Sequence, residues 1–284
     1  MATTLPQTAI LGAGSMGGAV LSGLLAPGVE VEGGVNVTNR TEAKAGPLRR
    51  DGVTSLATET DPGANAAAVA GARVVLVGVK PHMVVDLLRE IGPALEPGAV
   101  VVSLAAGVTT ATMEEALPAS VPVLRSMPNT PSHVGLGVTG LAAGSRSSDA
   151  DLELARSLFA CVGDVVVVPE EQIDALSTIS GSGPAYVFYL VEQLQEAAVA
   201  LGFTPAQAAT MVQGTFRGAS ELLAAADDAG DAPDAPAELR RRVTSPGGTT
   251  ERAVAVLADG GLADLFGRAA QAALARNREI AEGR

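Results

Sequence analysis

Near its start the chain carries the feature that most limits its fold. Thr8–Gly12 is an apolar, strand-forming run and Met16–Leu25 reads as a helix. The turn joining them is Gly12-Ala13-Gly14-Ser15-Met16-Gly17. In a G-x-G-x-x-G turn the first glycine allows a tight reversal. The second admits a pyrophosphate to the backbone, and the third lets helix and strand pack closely. The N–H groups of Ser15 and Met16 at the helix start then receive the phosphates.

The next stretch extends this unit. Strands are expected at Val35–Asn39, Val53–Leu56, Val74–Val79 and Val100–Ser103, with helices from Thr41, over Pro62–Ala70 and over Met83–Ile91. Asp61 is placed to cap the second of these helices, with Pro62 at its first position. Strands alternating with helices give a parallel sheet covered on both faces. Met127–Pro131 reads as irregular, Gly135–Leu141 and Val162–Val168 as further strands, and Asp149–Phe159 as a helix between them. From Glu170 the strand signals vanish. Helices are expected over 171–179, 184–201, 205–226, 237–243 and 249–281, and residues 227–236, DDAGDAPDAP, read as a linker or mobile loop. The fold class is therefore α/β. A Rossmann-type parallel-sheet NAD(P)-binding domain, 1–168, precedes an all-helical domain, 169–284, expected to bind substrate and self-associate.

Composition excludes several functions. Of 284 residues, 47% are hydrophobic, enough for a core, but only 2% are aromatic and none is Trp, so that core is aliphatic. Thirty-one acidic residues against 19 Lys and Arg give a net charge of −12, unsuited to nucleic acid or an anionic membrane. No apolar run approaches the 18 or so residues of a membrane span. The single cysteine, Cys161, is expected to be a small buried hydrophobe, and no Cys/His cluster suits a metal. A cytoplasmic location is expected.

The end of the second strand discriminates between NAD and NADP. An acid there would hold the ribose 2′-hydroxyl. This chain has Asn39-Arg40-Thr41, with a guanidinium fork for a 2′-phosphate, so NADPH is expected to be preferred, with NADH also usable. Val79-Lys80-Pro81-His82 follows a central strand, at the mouth of an open α/β sheet. Ala105-Ala106-Gly107 follows the next strand, with side chains small enough for a nicotinamide ribose to approach the backbone.

Taken together, GAGSMG at 12–17, VKP at 79–81, SLAAGV at 103–108, RSMPNTP at 125–131, SGSGPAY at 180–186 and VTSPGGTT at 243–250 resemble pyrroline-5-carboxylate reductase, in family order across nearly the whole chain. The resemblance implies NAD(P)H-dependent reduction of Δ1-pyrroline-5-carboxylate to L-proline, the last step of proline biosynthesis. It implies helical domains that interlock as dimers and assemble further, up to decamers. Asn65 then corresponds to the asparagine near the adenosine phosphate, and Lys80, Ala105 and Asn129 to residues lining the dinucleotide. Ser245, Gly247, Gly248, Thr249 and Thr250 correspond to the loop holding the substrate, which in the family can face the partner's Rossmann domain. Thr250 is the catalytic candidate, donating to or accepting from the ring nitrogen. The chain departs from the family at Ala235-Pro236, where many members have His-Pro, and at Arg240 to Arg242, where lysine is usual.

The implied chemistry suits the residues present. A protonated imine accepts hydride without a strong general acid, and the two histidines form no convincing base–nucleophile pair. Two alternatives stand beside this reading. A β-hydroxyacid dehydrogenase would need a lysine on the first helix of the second domain, and 184–201 contains none. A non-catalytic dinucleotide sensor would bind cofactor without turnover. Oxidation of proline or thioproline at the same site is the reverse-direction variant.

Overall fold

The computed structural model describes residues 3–228 and 235–281. Among the described residues ten strands form two sheets. β1 (Thr3–Leu5) and β3 (Val29–Val31) make a small parallel pair. The main sheet contains β2 (Thr8–Leu11), β4 (Val35–Asn39), β5 (Val53–Ala57), β6 (Val74–Val77), β7 (Val100–Ser103), β8 (Val123–Met127), β9 (Gly137–Ala143) and β10 (Gly163–Val167). Its order is β10-β9-β8-β7-β6-β2-β4-β5. All neighbours are parallel except β8 and β9, which run antiparallel. The sheet is thus parallel-dominated rather than uniformly parallel. The strand order reverses between β2 and β6, the switch point at which such sheets bind ligands beyond their carboxyl ends.

Strand alternation sends side chains into two cores. Ile10, Val37, Leu76 and Val102 point to one face, covered by α1 (Ser15–Leu24) and α6 (Asp149–Phe159) through Val20, Leu24, Leu158 and Phe159. Ala9, Leu11, Val75, Val77 and Val101 point to the other, covered by α3 (Ala64–Val69) and α4 (Val84–Ile91) through Ala68, Leu88 and Ile91. Small alanines and branched aliphatics fill both layers, as the scarcity of aromatic residues requires. Cys161 packs at the margin of the first core, half-buried, and burial pushes its thiol pKa up.

Several elements differ from the sequence reading. The helix expected at Pro62 begins at Ala64 with Gly63 as its cap. Asp61 Oδ1 accepts the Gly63 N–H at 2.8 Å, an Asx turn that holds Pro62 outside the helix. The helix expected from Thr41 is the single turn α2 (Glu42–Ala45). Met127 closes a strand that its proline-rich surroundings concealed. A further short helix, α5 (Thr110–Glu115), is capped by the Thr109 side chain.

The described residues divide into two compact units, one running through Pro184 and resumed from Ala273, the other spanning Ala185–Ala272. After the sheet come α7 (Ile173–Leu176), a π-helical turn at Ser177–Gly181, α8 (Gly183–Ala200), α9 (Pro205–Asp228), α10 (Ala235–Arg242), α11 (Thr249–Asp259) and α12 (Leu262–Ala281). The expected continuous helix 249–281 is broken at Gly260-Gly261. Gly261 adopts φ +73°, the left-handed stop that only glycine takes without strain. Of the expected loop 227–236, residues 229–234 lie outside the described residues. Among the described residues, no helix is long and apolar enough to cross a membrane, and no group of His, Cys, Asp and Glu suits a metal ion.

Candidate active site

The glycine turn sits at the switch point. Gly12 has φ +85°, and a Cβ there would lie 3.0 Å from the Gly78 backbone, so the β2 and β6 loops touch. A Cβ at Gly17 would lie 2.9 Å from the Gly12 carbonyl oxygen and 3.1 Å from Ile10 Cγ2, which is close helix–strand packing. At Gly14 a Cβ would meet nothing within 4 Å, leaving open space above the turn. The first bond of the α1 ladder runs from the Gly18 N–H to the Gly14 carbonyl at 2.8 Å. The amides of Ser15, Met16 and Gly17 precede it and are available to an anion. This cradle fits a dinucleotide diphosphate. Above it, His133 Nε2 lies 3.1 Å from Ser15 Oγ, a neighbour 118 positions away that no spacing argument finds.

Asn39 ends β4 and is buried, and among the described residues its Nδ2 has no hydrogen-bond partner. An orphaned donor at this strand end fits an adenosine ribose. Arg40 is exposed beside it and makes no ion pair among the described residues. Asn65 stands in the first turn of α3, and its Nδ2 donates to Glu90 Oε1 at 3.1 Å. Val79, Lys80 and Pro81 follow β6, Val79 half-buried and the other two exposed. Ala105 is buried after β7, its amide donating to Ser103 Oγ at 3.1 Å, while Ala106 is exposed and Gly107 takes φ +76°. Apart from Asn65, which follows β5 on α3, these residues stand at the carboxyl ends of β2, β4, β6 and β7.

Asn129, just beyond β8, is locked by two bonds. Its Nδ2 donates to the Ser180 carbonyl at 2.9 Å, and its Oδ1 accepts the Val138 N–H at 2.8 Å. Ser180 lies in the π-helical turn, so SGSGPAY and MPNTP are held together. Behind them the buried Arg125 donates to Asp174 Oδ1 at 2.6 Å and lies 3.7 Å from Glu170 Oε1. Glu170 in turn accepts the Thr110 amide at 2.7 Å. This ion-paired brace fixes β8 against the start of the helical segment, and sequence reading missed it because its paired members lie 45 to 60 positions apart.

The 245–250 segment lies in the Ala185–Ala272 unit. Gly247 has φ +71°, and its amide donates to Glu251 Oε2 at 2.8 Å. The Gly248 amide donates to the Ser245 carbonyl at 2.9 Å. Gly248 itself caps α11, with no side-chain cap hydrogen bond. The first ladder bond from this cap runs from the Arg252 N–H to the Gly248 carbonyl. The amides of Thr249 and Thr250 lie ahead of it, and both side chains are exposed. In the same unit Tyr186 meets Phe266 edge to face at 6.1 Å, while Tyr189 is exposed.

Residues 170–280 match the family described as pyrroline-5-carboxylate reductase dimerisation, and residues 7–107 match that described as NADP oxidoreductase coenzyme F420-dependent. A pyrroline-5-carboxylate reductase of Corynebacterium melassecola is 40% identical over 276 residues, covering 96% of this chain and 97% of that protein. That of Pseudomonas aeruginosa is 37% identical, covering 98% and 97%. Among solved structures, a pyrroline-5-carboxylate reductase from Coxiella burnetii superposes with a TM-score of 0.87 at 37% identity, covering 96% and 97%. A Plasmodium falciparum pyrroline carboxylate reductase with NADP bound shares the fold, with a TM-score of 0.78 at 21% identity, covering 97% and 98%.

Proposed function

The chain belongs to the pyrroline-5-carboxylate reductase family, and from that premise we propose that it reduces the C=N bond of Δ1-pyrroline-5-carboxylate to give L-proline, the last step of proline biosynthesis. The observation that carries this reading is the joint presence of an open glycine cradle at 12–17 and a 245–250 turn whose Thr249 and Thr250 amides precede their helix ladder. Dinucleotide binding is assigned to residues 1–168, and substrate binding and self-association to 169–284.

A bound reduced nicotinamide supplies the hydride. The chain's own residues bind, orient and donate. Ser15, Met16 and Gly17 offer amides to the diphosphate, and Arg40 with Asn39 offers donors to the 2′ end of the adenosine ribose, favouring NADPH over NADH. Lys80, Ala105 and Asn129 line the approach to the nicotinamide. Thr249 and Thr250 present amides to the substrate carboxylate without a formal positive charge. The Thr250 hydroxyl hydrogen-bonds the ring nitrogen as the imine becomes an amine, and water delivers the proton. Holding the reacting atoms in line is the main contribution asked of the protein.

α8 has no lysine, which disfavours β-hydroxyacid dehydrogenation. Phe188, Leu201, Leu222, Val256 and Leu257 expose large apolar side chains on α8, α9 and α11 and the turn between the first two, which supports dimerisation and higher assembly. The test is direct. Purified protein is mixed with NADPH and pyrroline-5-carboxylate, and the reduced-nicotinamide absorbance band is followed. Substrate-dependent decay with proline formation is expected. NADPH binding with no decay across pH would instead mark a dinucleotide sensor.

A further inference from the structure

Beside Arg40 the structure places a carboxylate that sequence spacing conceals. β4 and β5 pair with Asn39 opposite Ala57, and the ladder continues past both ends. The Thr58 amide donates to the Asn39 carbonyl at 2.9 Å and the Glu59 amide to the Arg40 carbonyl at 3.0 Å. Glu59 is therefore held against the Asn39-Arg40-Thr41 loop by backbone bonds, not by a mobile side chain alone. Its Oε1 accepts the Glu42 N–H at 2.6 Å.

The surrounding charges are not balanced at this carboxylate. Glu42's own acid is taken by Arg49, whose Nη2 lies 2.8 Å from Oε2. Among the described residues Glu59 has no cationic partner, and neither has Arg40. Next to them the Asn39 Nδ2, buried and unpartnered, is the independent sign that a ligand completes this strand end. A 2′-phosphate drawn by Arg40 needs backbone donors in the same loop, and Glu59 already holds the Glu42 amide. A 2′-hydroxyl needs an acceptor, and Glu59 is one.

We propose that Glu59 is a specificity-determining residue that opposes Arg40: it repels and displaces a 2′-phosphate and accepts a hydrogen bond from a 2′-hydroxyl, so that NADH competes better than Arg40 alone would allow. The inference rests on the reading that Arg40 faces the adenosine ribose. A single carboxylate about 6 Å from a dianionic phosphate weakens its binding by roughly tenfold even with water-like screening.

Dissociation constants of NADPH and NADH, measured by nucleotide fluorescence for wild type, Glu59→Gln, Glu59→Ala and Arg40→Ala, test both layers. Glu59→Gln is expected to tighten NADPH about tenfold and to weaken NADH several-fold, since the charge is lost while the shape is kept. Glu59→Ala should move the NADPH/NADH ratio the same way. Arg40→Ala should weaken NADPH by about tenfold or more with little change for NADH. If Glu59 only capped α2, its variants would lose thermal stability and keep the wild-type ratio. A ratio within about twofold of wild type in both Glu59 variants overturns the role of Glu59. A wild-type ratio in Arg40→Ala overturns the reading beneath it.

Discussion

Gly14 and Gly17 belong to one motif, yet the structure gives them separable jobs, and alanine at each position measures the separation. At Gly17 a new Cβ would lie 2.9 Å from the Gly12 carbonyl and 3.1 Å from Ile10 Cγ2, so α1 must move off β2. Overpacking of this kind costs about 1–3 kcal/mol, offset by about 1 kcal/mol of improved helix propensity. The net loss of about 1 kcal/mol corresponds to a Tm lower by about 2–4 °C. The amides of Ser15 and Met16 move with the helix, so NADPH affinity falls as well. At Gly14 the backbone has φ −77°, not the left-handed conformation, and the added methyl meets no protein atom within 4 Å. Gly14→Ala should therefore leave Tm nearly unchanged. Its methyl instead stands where the diphosphate approaches, and one lost charge-assisted bond, worth about 1.5–3 kcal/mol, raises the NADPH Kd by about 10–100-fold. Differential scanning fluorimetry and NADPH fluorescence titration on the same preparations give both numbers. Wild-type NADPH affinity in Gly14→Ala, or a Tm loss there as large as in Gly17→Ala, would refute the assignment of the open space to the cofactor.

Thr250→Ala should lower turnover by about 10–100-fold through loss of one bond to the ring nitrogen, with NADPH Kd unchanged; an equal loss in cofactor affinity would place Thr250 at the nucleotide instead. Asp151 offers a pH test of stability. Burial raises its pKa, but the Ser148 hydroxyl and amide and the Arg73 guanidinium outweigh this and hold it below the ordinary carboxylate value. Because the folded value is the lower one, this stabilisation is present above about pH 4, the unfolded value, and is lost as pH falls through the folded one. Asp151→Asn should cost about 1 kcal/mol in urea unfolding at pH 7 and little once Asp151 is protonated in acid, so an equal loss at both pH values would contradict the capping-box account.

The local signals in this chain were sufficient for its framework. Gly12, Gly14 and Gly17 between an apolar run and a helix specify a βαβ unit, because few other residue patterns allow backbone, helix and phosphate to approach so closely. Val74–Val79 and Val100–Ser103 read as strands because their branched side chains suit a sheet covered on both faces, and the strands formed are Val74–Val77 and Val100–Ser103. Asp149–Phe159 was legible because Ser148 and Asp151 form a capping box three residues apart. Each of these is a short-range interaction, carried by residues a turn or a strand apart.

What tertiary structure alone decided is of longer range. Arg125 gives no strand signal, yet it lies buried in β8 because Asp174 and Glu170 arrive from the far side of a helix and two strands to pair with it. His133 reaches Ser15, and Asn129 reaches Ser180, only once β8 and β9 have paired antiparallel. Glu59 becomes a neighbour of Arg40 through the ladder between β4 and β5, which is why an acid absent from the end of the second strand in sequence is present there in space. A motif records what a backbone segment can do by itself. The charges facing that segment come from other strands, whose register is fixed by the burial of whole side-chain faces, and that choice is made only when the sheet assembles.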